Sequence, residues 1–118
     1  MEVMDSREIS KLLGMTQRGF IKLVHKLDIP HQINRNKFTF DLNVNNHFFR
    51  SVKQAIVNPH LRVIYSLKNI ADLLQKDKKT VKTMLIENDI KIHRNGRKLI
   101  VFLVDLQSFR ELTKKSVN

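Results

Sequence analysis

The chain has 118 residues, 42% hydrophobic and 28% charged, which is enough for one ordinary globular domain or two very small ones. Its 22 Lys and Arg against 11 Asp and Glu give a net charge of +11, which favours a polyanionic partner, most often nucleic acid and less often an anionic membrane surface. The lack of cysteine excludes disulfides, thiolate metal sites and cysteine nucleophiles, and no apolar run approaches the roughly 20 residues that cross a bilayer, so we expect a cytoplasmic protein without a membrane partner.

The first part of the sequence predicts two short helices joined by a tight turn. Ser6 is a good N-cap for the first helix, and Asp5 is also interpreted as a helix cap. Gly14 ends the helix because glycine tolerates the left-handed conformation. Thr16 caps the second helix, which ends before Pro30. At helical spacing, the apolar face of the first helix comprises Ile9, Leu12 and Leu13, and that of the second Phe20, Leu23, Val24 and Leu27.

A β-hairpin and a third helix are predicted next. Alternating apolar positions flank a polar turn over residues 33–40, which is typical of a hairpin. Asn43 then caps a helix that stops at Asn58-Pro59. Its apolar positions are Val44, Phe48, Val52 and Ile56.

The same order of elements recurs at an offset of 61 residues. Six of 31 aligned positions, 4–34 on 65–95, are identical. Among them Ile9, Leu12 and Leu13 fall on Ile70, Leu73 and Leu74, and apolar character matches at further helical positions. The sequence therefore predicts an internal duplication.

The second copy departs from the first at several positions. Ser66 or Leu67 opens its first helix and Asp77 caps its second, whose inner stripe is Val81, Met84 and Leu85. Because Gln75 replaces Gly14 and Asn88 replaces Leu27, we expect a looser turn and an earlier end of that helix. Asn95-Gly96 predicts a hairpin turn with both residues at positive φ. Asp105 then caps a helix that carries Leu106, Phe109 and Leu112.

These residues resemble the excisionase-like and MerR-like winged helix-turn-helix domains. The resemblance is carried by residues 65–74, 78–82 and 88–90, by the Gly96-Arg97-Lys98 hairpin and the Asp105-Leu106-Gln107-Ser108-Phe109 segment, and in the first copy by residues 9–16 and 28–30. It implies an α+β, mainly α fold of two tandem winged helix-turn-helix units, residues 1–58 and 62–118, related by internal duplication. Members of these families bind DNA, placing the second helix in the major groove and the basic hairpin, or wing, against the backbone or minor groove.

Candidate DNA-binding residues follow from the outward faces of the second helices and from the two wings. Arg18 and Gln17 can contact guanine and adenine, and Lys22 can reach guanine or phosphate. The lysines of the second copy are better suited to phosphates. The helix positions are Gln17, Arg18, Lys22, His25, Lys78, Lys79, Lys82 and Thr83; the wing positions are Arg35, Asn36, Lys37, Arg94, Asn95, Arg97 and Lys98.

We expect neither an enzyme nor a cofactor or metal site, because the sequence has no glycine-rich phosphate loop, no nucleophile motif and no histidines at ligand spacing. The expected function is sequence-specific binding of double-stranded DNA by a cytoplasmic, nucleoid-associated transcription regulator. A monomer would present two units as a dimer does, and further copies could assemble along DNA. An architectural factor in phage or plasmid recombination, replication or maintenance is an alternative. A protein-binding adaptor that uses exposed Ile21 and Ile86 is another.

Overall fold

The computed structural model describes the backbone of residues 2–116 and the side chains of residues 2–109. Within these residues the fold is α+β, with six helices and two small antiparallel sheets of three strands each. The chain divides between Val63 and Ile64 into two compact units. None of the helices described combines the length and the apolar character that a membrane crossing requires.

The first unit contains three strands and three helices in the described residues. In chain order these are β1 (Val3–Asp5), α1 (Ser6–Leu13), α2 (Gln17–Leu27), β2 (Gln32–Asn34), β3 (Lys37–Asp41) and α3 (His47–Val57). β3 lies in the middle of the sheet, between β1 and β2. The sequence predicts the β2–β3 hairpin but not β1, which becomes a strand through its pairing with β3 from Val3–Asp41 to Asp5–Thr39.

The second unit has the same order of elements. It comprises β4 (Ile64–Ser66), α4 (Leu67–Leu74), α5 (Lys78–Glu87), β5 (His93–Asn95), β6 (Lys98–Phe102) and α6 (Leu103–Ser116). Up to β6, each element begins 61 residues after its counterpart, and the sheet registers shift by the same number. The units differ after the sheet, because α6 follows β6 directly whereas a loop of residues 42–46 separates β3 from α3.

Side-chain caps set the beginnings of several helices, and three predicted caps are wrong. Asp5 caps α1, as one interpretation of the sequence expected, and Ser6 does not. The Asp5 carboxylate accepts from the Glu8 backbone N–H at 2.8 Å, and the Glu8 carboxylate accepts from the Asp5 N–H at 3.1 Å. Asn46, not Asn43, caps α3. Asp105 lies inside the first turn of α6, because the helix already begins at Leu103.

Other predicted caps are confirmed. Thr16 caps α2 by accepting from the Gly19 N–H, and Asp77 caps α5 by accepting from the Thr80 N–H. Of the two residues expected to open α4, Ser66 is the N-cap and Leu67 is the first helical residue. Helix α5 ends at Glu87, one position earlier than its counterpart α2, as expected from Asn88.

Two predicted turns differ from the structure. The turn between α4 and α5 is not looser than that between α1 and α2: both span three residues, and Gln75 adopts the left-handed conformation (φ 55°, ψ 46°) that Gly14 adopts in the first unit. The hairpin turn of the second unit is Gly96-Arg97, since Asn95 pairs with Lys98 as a strand residue. The positive φ predicted for this turn occurs at Gly96.

Each unit has its own apolar core. In the first, Phe20 lies 5.3 Å from Phe40 and 6.0 Å from Phe48 between ring centroids. The buried residues of the second unit include Ile70, Val81, Leu85, Val101, Leu106 and Phe109. Four apolar positions predicted to face inward are exposed instead: Leu12, Val44, Ile56 and Leu73. Leu112 lies outside the residues whose side chains are described.

Candidate nucleic-acid interface

The second helix of each unit buries one face and exposes a polar, largely basic one. Burial of Phe20, Leu23 and Val24 fixes the rotation of α2, and burial of Val81 and Leu85 fixes that of α5. The side chains that this rotation exposes are Gln17, Arg18, Lys22 and His25 on α2, and Lys78, Lys79, Lys82 and Thr83 on α5. Ile86 of α5 is also exposed, whereas Ile21 of α2, expected to be exposed, is half-buried.

Basic side chains also project from both hairpins. Arg35 and Asn36 form the turn of the β2–β3 hairpin at φ values of 52° and 63°, and Lys37 begins β3. In the β5–β6 hairpin the corresponding stretch carries Arg94, Asn95, Arg97 and Lys98. All seven residues are exposed except Asn95, which is half-buried.

The start of the second helix meets the hairpin turn at an open cleft, and this cleft occurs at equivalent positions in both units. The first cleft, of about 280 Å³, is lined by Asp5, Ser6, Arg7, Gln17, Asn36 and Lys37. The second cleft, of about 330 Å³, is lined by Ser66, Leu67, Lys68, Lys78, Arg97, Lys98 and Leu99. The 61-residue offset relates the six residues of the first cleft to six of the second, and only Leu99 has no counterpart in the first lining. The fold therefore brings Gln17, Asn36 and Lys37 together in one unit, and Lys78, Arg97 and Lys98 in the other.

Strand pairing explains why these residues meet. β1 leads directly into α1, so its pairing with β3 places the first turn of α1 beside the start of that strand. Lys37 Nζ consequently lies 3.3 Å from Asp5 Oδ2. The hydrogen bond from the Glu8 amide is the main cause that holds the pKa of Asp5 below its ordinary value; partial burial opposes it and Lys37 adds to it.

The remaining predicted helix residues lie outside the clefts, along the exposed faces. Arg18, Lys22, Lys79 and Lys82 are accessible to a ligand that spans the helix. Thr83 is accessible too, but its hydroxyl donates to the Lys79 carbonyl oxygen at 3.1 Å, which leaves it free to act mainly as an acceptor.

His25 belongs to a different group of side chains. It lies in the last turn of α2, about 12 Å along the helix axis from Gln17. Its ring centroid is 5.8 Å from that of His31 and 5.8 Å from that of Phe38, and His31 stacks on Phe38 at 5.2 Å. The structure therefore places His25 with an aromatic cluster rather than with the basic cleft.

Sequence reasoning missed Arg7 and Lys68, which line the two clefts from the first turns of α1 and α4. A signal was present, because both residues are basic and are related by the 61-residue offset. The apolar stripe that predicts the first helix of each copy does not include them, so the stripe alone does not point to these residues.

Among the described residues, no group of three or more His, Asp or Glu side chains is arranged to hold a metal ion. Comparison of the chain with protein-family models, with curated proteins and with solved structures found no match. The geometry and charge of the two units are therefore the basis for a functional assignment.

Proposed function

We propose that this protein binds double-stranded DNA in a sequence-specific manner and acts as a transcription regulator. In this proposal each unit is a winged helix-turn-helix module, and the two modules arose by internal duplication. Helices α2 and α5 enter major grooves, while the β2–β3 and β5–β6 hairpins serve as wings that contact the backbone. Members of the excisionase-like and MerR-like families, which the sequence resembles, bind DNA with their second helix and wing in this way.

The observation that carries the proposal is the recurrence of one basic surface in both units. Basic residues on any single solvated helix are weak support, since lysine and arginine occur on most exposed surfaces. Here the helix start and the hairpin turn converge on a cleft at equivalent positions in both units, and exposed cations continue along α2 and α5. A surface on which a helix and a neighbouring hairpin both carry cations is suited to binding the phosphate backbone of a DNA duplex.

The direct test measures binding of the full chain to duplex DNA by fluorescence anisotropy over a range of salt concentrations. Binding should weaken steeply with salt, because each neutralised phosphate contributes a slope of about −0.9 to log K against log salt. Replacing Arg18 and Lys22 together by alanine should weaken binding about tenfold or more. Absence of duplex binding even at low salt would reject the proposal.

A matched control separates a specific surface from net charge. Lys11 on α1 and Arg50 on α3 are exposed in the same unit and lie on neither α2 nor the β2–β3 hairpin. The double variant Lys11→Ala with Arg50→Ala removes the same two charges. It should weaken duplex binding much less than Arg18→Ala with Lys22→Ala. Equal losses would mean that DNA responds to overall charge and not to the α2 surface.

One observation favours an adaptor that binds another protein. Ile86 is 57% exposed on the outer face of α5, one helical turn after Lys82. An adaptor would keep its protein partner after the charge substitutions but lose it in Ile86→Ser. If duplex binding instead persists in Ile86→Ser and is lost in the charge variants, DNA is the ligand of this face.

DNA bending measured by circular permutation would favour the architectural factor over the regulator.

A further inference from the structure

The two clefts share a geometry but differ in charge. Lys68, Lys78, Arg97 and Lys98 line the second cleft, and in the described part of the chain no carboxylate lines it. In the first cleft the cations are Arg7 and Lys37, and Asp5 stands among them. The ion pair between Lys37 and Asp5 further reduces the positive charge that this cleft offers to an anion.

The difference has two sources: Gln17 and Asn36 of the first cleft are replaced by Lys78 and Arg97 in the second, and the helix caps differ in charge. Helices α1 and α4 both begin with a reciprocal capping box, in which the N-cap side chain and the third helical residue exchange hydrogen bonds with the backbone. In α1 these residues are the acids Asp5 and Glu8. In α4 they are the neutral Ser66 and Asn69, which form the same pair of hydrogen bonds at 3.1 Å each. The second unit thus caps α4 without placing a carboxylate among the residues that line the cleft.

Asp77 is the acid that stands nearest in the chain to a cation of the second cleft. Asp77 precedes Lys78 in the chain but does not line the second cleft. Its carboxylate accepts from the Thr80 N–H at 2.6 Å, at the start of α5. The four cations of the cleft therefore remain available to an anion.

We infer that the second cleft is the principal site at which the protein holds a backbone phosphodiester of DNA, and that Asp5, together with the neutral Gln17 and Asn36, keeps the first cleft a weaker one. This inference rests on the proposed function and assigns unequal parts to the two units. The second unit supplies the dominant, sequence-independent phosphate contact. The first unit contributes mainly through the outer face of α2, where Arg18 can contact a base edge.

Exchanging the two N-caps tests the inference. Ser66→Asp should place a carboxylate beside Lys98 as Asp5 lies beside Lys37, and Asp5→Ser should remove it from the first cleft. Serine and aspartate are both good N-caps, so the helices should be retained. In full-length protein, Ser66→Asp should weaken duplex binding several-fold and reduce the salt slope by up to about 0.9, whereas Asp5→Ser should change both in the opposite direction.

Two controls accompany the exchange. Ser108→Asp introduces the same charge at an exposed position on α6 that does not line the cleft, and should change the slope less than Ser66→Asp. Urea denaturation of each variant checks that folding is retained. As a second readout, millimolar pyrophosphate should shift the amide resonances of Lys68 and Lys98 in the unmodified chain, and Ser66→Asp should suppress the shifts.

The outcomes are distinguishable. Opposite changes in slope for the two exchanges, with suppressed pyrophosphate shifts, support the inference. If the unmodified chain binds duplex DNA and Ser66→Asp binds it with the same slope, the inference is wrong while the proposed function stands. If the unmodified chain does not bind duplex DNA at low salt, both are wrong.

Discussion

Asp77 caps α5 with an ionised side chain at the protein surface. The hydrogen bonds from the Thr80 side chain and then from the Thr80 backbone hold the pKa of Asp77 below its ordinary value, against a small opposing effect of desolvation. A carboxyl whose pKa is lower in the folded than in the unfolded chain stabilises the fold fully above the unfolded pKa. That contribution is lost as the pH falls through the native pKa.

Asp77→Asn tests this assignment because asparagine is an equally good N-cap without a charge. We expect the variant to be less stable than the unmodified chain at neutral pH, where the aspartate also interacts favourably with the helix dipole. The difference in urea midpoint should shrink between about pH 5 and pH 2. In the first unit, Thr16→Asn changes an uncharged cap, so its effect should be independent of pH over this range. A pH-independent difference for Asp77→Asn would contradict the assignment.

At the scale of elements, the turns that join the helix pairs show how one backbone shape is reached by two residue types. Gly14 (φ 70°, ψ 29°) and Gln75 (φ 55°, ψ 46°) adopt the same left-handed conformation after α1 and α4. The conformation suits glycine and strains a residue with a Cβ atom. A Cβ built on Gly14 would meet no atom within 4 Å, so strain there comes from the backbone alone.

The reciprocal substitutions should therefore change stability in opposite directions. Gln75→Gly should stabilise the chain by about 0.5–1 kcal/mol and Gly14→Gln should destabilise it by about 1 kcal/mol. Chemical denaturation followed by circular dichroism measures both. Destabilisation by Gln75→Gly would mean that the Gln75 side chain makes contacts worth more than its backbone strain.

The sequence predicts best which side of a helix is buried, because apolar residues at helical spacing mark the buried side of α2 and α5 directly. The strands β1 and β4 escape prediction because three residues give no alternation, and their pairing with β3 and β6 alone makes them strands. The same pairing brings Arg7 and Lys68 to the clefts. The candidate site was thus predictable on α2, α5 and the hairpins, but not where it depends on sheet register.

At the scale of the whole molecule, the proposed function does not require the two units to recognise the same DNA sequence. The outer faces of α2 and α5 are basic at the aligned pair Arg18 and Lys79, but they differ where Lys22 aligns with Thr83. If the chain binds duplex DNA as proposed, these differences predict two half-sites of different sequence, because side chains in the first turns of a recognition helix contact base edges. Linkage of the units in one chain makes the second contact intramolecular, so a target with both half-sites should bind more tightly than either alone.

Selection of bound fragments from random duplex DNA tests this prediction. The unmodified chain should enrich two dissimilar half-sites at a fixed spacing, about 10 bp between centres if the units are rigidly joined. Selection with Arg18→Ala and Lys22→Ala should retain the half-site read by α5, and selection with Lys79→Ala and Lys82→Ala should retain the other. These variants show which unit reads which half-site, since each leaves one helix intact. Enrichment of a perfect palindrome, or of one half-site that survives in both variants, would show that the two units do not divide the recognition of one target between them.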